Sequence, residues 1–575
     1  MNVSHALYLD KINGNNLWQE SMDKEIMSIN DFKTFRVLAE GEKLPDGYTR
    51  IPYHIVFDVK FDGRRKARLV AGGHRTPSVS HEEVYSGVVG MDTIRMAFVL
   101  ASLNELEVCA ADISTAFLYG KTREKVYVIA GKEFGEHAGK RMVIEGGLYG
   151  LKSSSARFHE VCAAHLRSMG FKPSKADYDL WIKNKGDHYE YVATYVDDIL
   201  VFSRDPMKII KEVQRKFELK GIGRPEYYLG GNFHTIRDID LKEIGDDQKG
   251  HHLSSKWLKE NVRTAFSAKT YVQQSVDKLE KMMGYHFATY KSPMAEALHP
   301  EVDESPFLDA EKHSKFRSLI GCANWLITLG RFDIAYAVNA LSRFSMAPRQ
   351  NHLEAIIRVF GYLKRYDKGA IIIDPKYPDH SQFEVEEYDQ WKEFYPDAEE
   401  MIPDASERPT PTGPKVRITV YKDSDHAHDI LTRRSVTGVI LFLNNTPVKW
   451  ISKRQKTVET STYGSELVAA KVATELVLEY RYLLRMMGSE PDGPAMMLGD
   501  NNSVVLNCTM PSSVLKKKAS ACSYHRVREC IASGVLKFTH IPSEMNYADI
   551  LTKPLGISAF HGLVDPLLFR KPKEE

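Results

Sequence analysis

Residues 190–202 read Glu-Tyr-Val-Ala-Thr-Tyr-Val-Asp-Asp-Ile-Leu-Val-Phe, two runs rich in β-branched and aromatic residues with a pair of acids between them. Such runs suit a pleated, buried surface, and two of them joined by a short polar break fold naturally as a hairpin with Asp197 and Asp198 at its turn. A third acid, Asp112, follows the strand-like run 106–111 and precedes Ile113-Ser114-Thr115-Ala116-Phe117. Carboxylates at the ends of neighbouring strands offer the oxygen ligands that hard cations prefer. Two such ions about 4 Å apart can activate a hydroxyl and stabilise a leaving pyrophosphate. The candidate chemistry is phosphoryl transfer with Mg2+, two ions per site, or with Mn2+ in its place, held by Asp112, Asp197 and Asp198. An isolated Asp-Asp pair is most often a solvated turn; the apolar flanks on both sides argue against that reading here.

The surroundings imply an α/β multidomain chain. At 575 residues and 43% hydrophobic it is too long for one core, and three or four units are expected. Strand patterns at 51–57 and 67–70 mix with helical ones at 93–106 and 157–169, whereas helices dominate at 316–329, 333–344 and 352–366, closed by a strand at 370–373. Residues 379–408 hold 11 acids against 2 bases and lead into Pro409-Thr410-Pro411-Thr412-Gly413-Pro414, a stiff extended tract; the acidic insertion is expected to be a disordered surface loop. Beyond it, strands at 416–421 and 435–443 and a long helix at 466–487 open a separate unit.

That unit carries four spaced acids: Asp423 at a strand end, Glu466 early in a helix, Asp500 after an apolar run, and Asp549 in Ala548-Asp549-Ile550-Leu551-Thr552-Lys553-Pro554. Any one of them alone would more often be a cap or a surface charge. Together they are a second candidate metal site, suited to hydrolysis of a phosphodiester without a covalent intermediate. Lys and Arg total 78 against 76 Asp and Glu, so a nucleic-acid surface has to be local. The six cysteines are scattered without zinc-site spacing, and no apolar stretch is long enough to cross a membrane, so a soluble, intracellular protein without a membrane partner is expected.

Tyr195-Val196-Asp197-Asp198 resembles the signature of reverse transcriptases. Trp18-Gln19-Glu20-Ser21-Met22, Lys66-Ala67-Arg68-Leu69-Val70-Ala71, Leu148-Tyr149-Gly150-Leu151-Lys152 and Tyr228-Leu229-Gly230 resemble, in order, the copia-type LTR retrotransposon Pol polyprotein. The order Asp423, Glu466, Asp500, Asp549 resembles ribonuclease H. The resemblance implies a right-hand polymerase with fingers and palm over 1–260, a mostly helical thumb and connection over 261–375, the insertion and linker over 376–414, and an RNase H-like mixed-sheet domain over 415–575. It implies an RNA template, a DNA primer, dNTPs and an RNA–DNA hybrid as partners, and a cytoplasmic location within virus-like particles, with nuclear entry as a further step. Phe117 would be the ring beneath the nucleotide sugar that excludes a 2′-hydroxyl, Lys66 and Arg68 would clamp the triphosphate, and Ser153 would stand at the nucleotide pocket.

Ser153 replaces the Gln usual in the family, Gly87 stands where Pro is more common, Ala519 where His is typical and His426 where Trp is usual; His525 is a weaker candidate for substrate contact. The competing reading is a degenerate or co-opted remnant that binds nucleic acid without catalysis. It predicts damaged carboxylates, and all seven are present.

Overall fold

The computed structural model describes residues 1–59, 63–76, 84–237, 262–383, 385 and 387–569. The expected hairpin forms from strands Tyr189–Tyr195 and Asp198–Ser203, with Tyr195 opposite Asp198. It is central to a six-stranded sheet in the order Leu219–Gly223, Glu107–Ile113, Asp198–Ser203, Tyr189–Tyr195, Leu180–Asn184, Lys172–Pro173. Every pairing in it is antiparallel. The hairpin strands read as near-continuous apolar runs because both faces are covered. Val192 and Val201 pack with Phe158 and Leu166 of helix Ser154–Ser168 and with Ile210 of helix Pro206–Gln214. Tyr191, Leu200 and Phe202 face the other way, towards Phe98 of helix Met91–Leu103.

A second hairpin, Tyr53–Val59 with Arg65–Ala71, lies against helix Leu17–Asp31. Ala67, Leu69 and Ala71 are buried while Lys66, Arg68 and Val70 alternate outward, the period of two that a half-buried strand requires. Farther along, Gly231–Arg237, Val262–Ser267 and the expected closing strand Ala370–Ile373 share one sheet. The expected boundary at 260/261 lies outside the described residues, and the strands flanking it pair with each other. Helices Ala310–Thr328, Ala335–Ser342 and Gln350–Arg365 fall on the three expected helical runs, and a further helix, Lys269–Met283, precedes them.

The back half is built on a five-stranded mixed sheet in the order Thr446–Arg454, Val436–Leu443, Ile418–Asp425, Ala495–Gly499, Leu536–His540. The first three strands are antiparallel, and the last two run parallel to Ile418–Asp425. Helix Thr462–Met486 packs across it. One apolar cluster runs through Phe98 of helix Met91–Leu103, Phe202 of the front sheet, Phe332 and Tyr336 in the helical middle of the chain, and Val439 and Leu441 of the back sheet. Polar contacts cross the same junction: Tyr191 Oη donates to the Met487 carbonyl at 3.0 Å, and the buried Arg95 guanidinium donates to the carbonyls of Val448 at 2.9 Å and Thr328 at 3.0 Å. The Pro-rich tract is laid against this body, with the Thr410 carbonyl accepting from Tyr189 Oη at 3.0 Å.

The acidic insertion is not a disordered loop. Its described residues form a strap across the back unit. Glu400 accepts from the buried guanidinium groups of Arg481 and Arg485, one helical turn apart, at 2.7 Å each. Trp391 stacks on Arg528 with 4.9 Å between guanidinium carbon and ring centre, and Tyr395 Oη meets His525 Nδ1 at 2.8 Å. Glu400 finds two cations on an ordered helix face, which ties this charged segment down. Burial alone would raise the Glu400 pKa, but the two arginines outweigh it and hold the group down at about 2. A depressed carboxylate contributes stability above its unfolded pKa and loses it as pH falls through the folded value. Strap protection against proteolysis should therefore hold above about pH 4.5 and fade towards pH 2. Glu400→Ala, which leaves the buried Arg481 without a carboxylate and Arg485 with Glu490 at 3.3 Å, should cost about 3 kcal/mol and open the strap to protease at neutral pH. A strap cut equally fast in both proteins would refute this.

Candidate active sites

Strand register builds the front site. Asp198 lies opposite Asp112 on the adjacent strand, and Asp197 occupies the turn, its carbonyl accepting from Ile113 N at 2.7 Å. The turn places Val196 at φ 55°, a left-handed conformation that β-branched residues avoid at a cost of about 1–3 kcal/mol. The sheet around it absorbs that cost. Asp112 is paired with Lys220 of the edge strand at 2.8 Å. Among the described residues, these three carboxylates do not bring ligand atoms within 4.8 Å of one another, whereas one trio in the back half does.

The nucleotide-binding candidates fall in two groups. Phe117 and Tyr149 meet edge-on with ring centres 4.9 Å apart, and the Arg68 guanidinium lies 4.9 Å from the Tyr149 ring centre. Lys66 shares the strand face of Arg68, and both charges act on the buried carboxyl of Glu25. Ser153 is buried, and its hydroxyl donates to Glu124 Oε1 at 2.7 Å just ahead of helix Ser154–Ser168. Gly87 abuts a buried carboxylate: a Cβ there would come within 2.1 Å of Asp179 Oδ2.

In the back half, Asp423 ends the central strand, Asp500 follows strand Ala495–Gly499, and Asp549 sits in the short helix Tyr547–Leu551. Their oxygens all lie within 4.8 Å of one another, and Asp549 Oδ1 is buried without a hydrogen-bond partner. An all-oxygen set with one orphaned acceptor fits a hard divalent cation. Thr552 Oγ1 donates to Asp423, Ser543 Oγ to Asp500 Oδ2 at 2.8 Å, and Lys553 Nζ lies 3.0 Å from Asp549 Oδ2. Glu466 stands apart from the trio: Lys422 Nζ is 2.6 Å from its Oε2, and Ser424 N donates to its Oε1 at 3.3 Å. Burial, with the Asp423 charge added, pushes Asp549 up to about 8. Burial likewise raises Glu466 to about 7, even with Lys422 opposing it.

Metal binding must displace the proton that this crowding retains on Asp549. Mg2+ affinity is expected to climb about tenfold per pH unit from 6 to 8 and level off above. Calorimetric titration in buffers of different ionisation enthalpy checks this, and a flat profile contradicts it.

Sequence reasoning missed Lys220, Lys422, Ser543 and Glu124. Lys422 alone carried a signal, a lysine directly before the candidate ligand Asp423 in a strand. His525 is held by the strap, Ala519 is exposed, and His426 Nδ1 is buried without a partner.

The strand-paired Asp-Asp turn and the third carboxylate opposite it lie within residues 32–244, which match the family "Reverse transcriptase (RNA-dependent DNA polymerase)". Similarity to curated proteins runs almost the full chain. It is 26% identical over 96% of its length to a retrovirus-related Pol polyprotein from transposon RE1 of Arabidopsis thaliana, and 24% over 95% to that of transposon TNT 1-94 of Nicotiana tabacum. The chain is similar over nearly its whole length to copia-type retrotransposon Pol proteins and spans about a third of the length of these relatives, 34% and 37%. Among solved structures, LC11-RNase H1 in complex with an RNA/DNA hybrid aligns with 24% of this chain and 94% of its own, at 21% identity and TM-score 0.20. RNase H1 of Halobacterium salinarum aligns with 24% of this chain at 17% identity and TM-score 0.19.

Proposed function

We propose that this chain copies RNA into DNA and hydrolyses the RNA strand of the resulting hybrid, with fingers and palm in the front half, thumb and connection in the middle and an RNase H-like domain behind the strap. The observation that carries the reading is the occurrence, in one body, of two separate groups of carboxylates, the first of them inside the matched reverse transcriptase region. The order of the back sheet, three antiparallel strands followed by two parallel ones, supports the second activity.

Divalent ions, when bound, polarise the phosphate and lower the pKa of the attacking hydroxyl or water. At the front, Asp112, Asp197 and Asp198 would hold two of them, and Lys220, now paired with Asp112, would have to yield that carboxylate. Lys66 and Arg68 offer cations to the triphosphate, and Phe117, braced by Tyr149, offers a ring under the sugar. At the back, Asp423, Asp500 and Asp549 would hold metal against the scissile phosphate, with Thr552 and Ser543 fixing the orientation of two of the three carboxylates. Template, primer and dNTPs are the substrates of the first reaction and the hybrid that of the second.

The test is primer extension on an RNA template with Mg2+, beside a labelled hybrid for cleavage. Extension no better than that of Asp197→Ala would leave the chain a binder of nucleic acid without polymerase activity.

A further inference from the structure

The back site treats its four expected carboxylates unequally. Among the described residues, Asp423, Asp500 and Asp549 are the only group of three metal-ligating side chains that converge within 4.8 Å, and Glu466 is not part of it. Both oxygens of Glu466 are engaged elsewhere, one by Lys422 Nζ at 2.6 Å and the other by Ser424 N at 3.3 Å. Lys422 is no surface lysine. It is 0% exposed, its ammonium lies 5.6 Å from the centre of the Phe538 ring, and a Cβ on Gly499 would fall 2.3 Å from its Cε. The neighbouring strand carries glycine where this stem passes, so the lysine has a built compartment.

We infer that Lys422 supplies, at Glu466, the positive charge that a second divalent ion would supply, so that the back site holds a single metal on Asp423, Asp500 and Asp549. Glu466 is then a positioning residue, not a ligand: it ties the buried lysine to the backbone at Ser424, next to Asp423. The charges agree. Once metal has displaced the protons that burial favours on them, the four carboxylates face two ammonium groups, Lys422 and Lys553, and the two negative charges left over are what one divalent ion neutralises. A second ion at Glu466 would share a buried compartment with an ammonium that has no exposure to solvent. It would also lose the water ligands that Mg2+ gives up reluctantly. The sequence expectation of two ions, with Glu466 among their ligands, does not fit these residues.

The inference rests on the back half being a metal-dependent hydrolase, and metal counting separates the two claims. Mn2+ bound to the full chain is counted by electron paramagnetic resonance, with Asp112, Asp197 and Asp198 changed to Asn to silence the front site. The chain is bound to a hybrid whose RNA strand carries 2′-O-methyl groups and resists cleavage. One Mn2+ per chain is expected, falling to none in Asp549→Asn. The paired change Lys422→Met with Glu466→Gln leaves no buried charge without a partner. It should keep that one ion with affinity within about twofold, its folding checked by thermal melting. Two ions in the parent, or loss of the ion in the paired variant, would overturn the inference. Cleavage of an unmodified hybrid by the unaltered chain is read in parallel. Two ions with cleavage leave the functional reading standing and remove the single-metal claim, and one ion without cleavage does the reverse. No bound ion removes both.

Discussion

Asp197→Ala should lower primer extension on an RNA template by on the order of 10^3-fold while hybrid cleavage changes less than about twofold. The fold should survive, because the turn is tied to the neighbouring strand through the Asp197 carbonyl and not its side chain. Asp549→Asn should give the mirror image, losing cleavage and keeping extension. Loss of both activities in either single variant, with an unchanged melting temperature, would contradict the assignment of the two reactions to separate sites.

The second large effect concerns stability. Arg331 and Asp333 are fully buried in the connection and joined by hydrogen bonds of 3.0 and 2.8 Å. Arg331 also donates to the Tyr366 carbonyl at 2.8 Å, and Tyr362 Oη donates to Asp333 at 2.6 Å. Removing one partner leaves a charge without water or counter-ion. Asp333→Asn should therefore cost about 3–5 kcal/mol in urea unfolding. Both activities should fall together, since the connection lies within the core shared by the two halves. The paired change Arg331→Met with Asp333→Leu should cost much less than Asp333→Asn alone. An equal loss would mean that packing, not the stranded charge, sets the penalty.

Much of the fold was legible because its signals are local. The hairpin at 190–202 is spelled by two apolar runs and a turn, the strand through Lys66 and Arg68 by alternation, and the long helix Thr462–Met486 by its apolar spacing. The order of the back-site acids likewise named the three that converge. What stayed hidden depends on contacts distant in sequence. Acidic residues in a row read as solvated until Arg481 and Arg485 are seen to face Glu400, and Trp391 gains a role only when Arg528 lies under it. Lys422 and Glu466 are 44 positions apart, and nothing in the spacing of either says that they meet. The likeness of four spaced acids to a known pattern therefore pointed to Glu466 without revealing that it meets Lys422.

The apolar cluster that passes from Phe98 through Phe332 to Leu441 without a break has one further consequence. A flexible tether would let a nuclease reach its substrate at many offsets from the growing end. Here the front and back carboxylates are mounted on one frame, so the spacing between them is set by side-chain packing. Under the proposed function, a single duplex threaded past both would make the fold a ruler. Scissions should fall at a fixed number of base pairs behind the newest nucleotide, advancing in step with it.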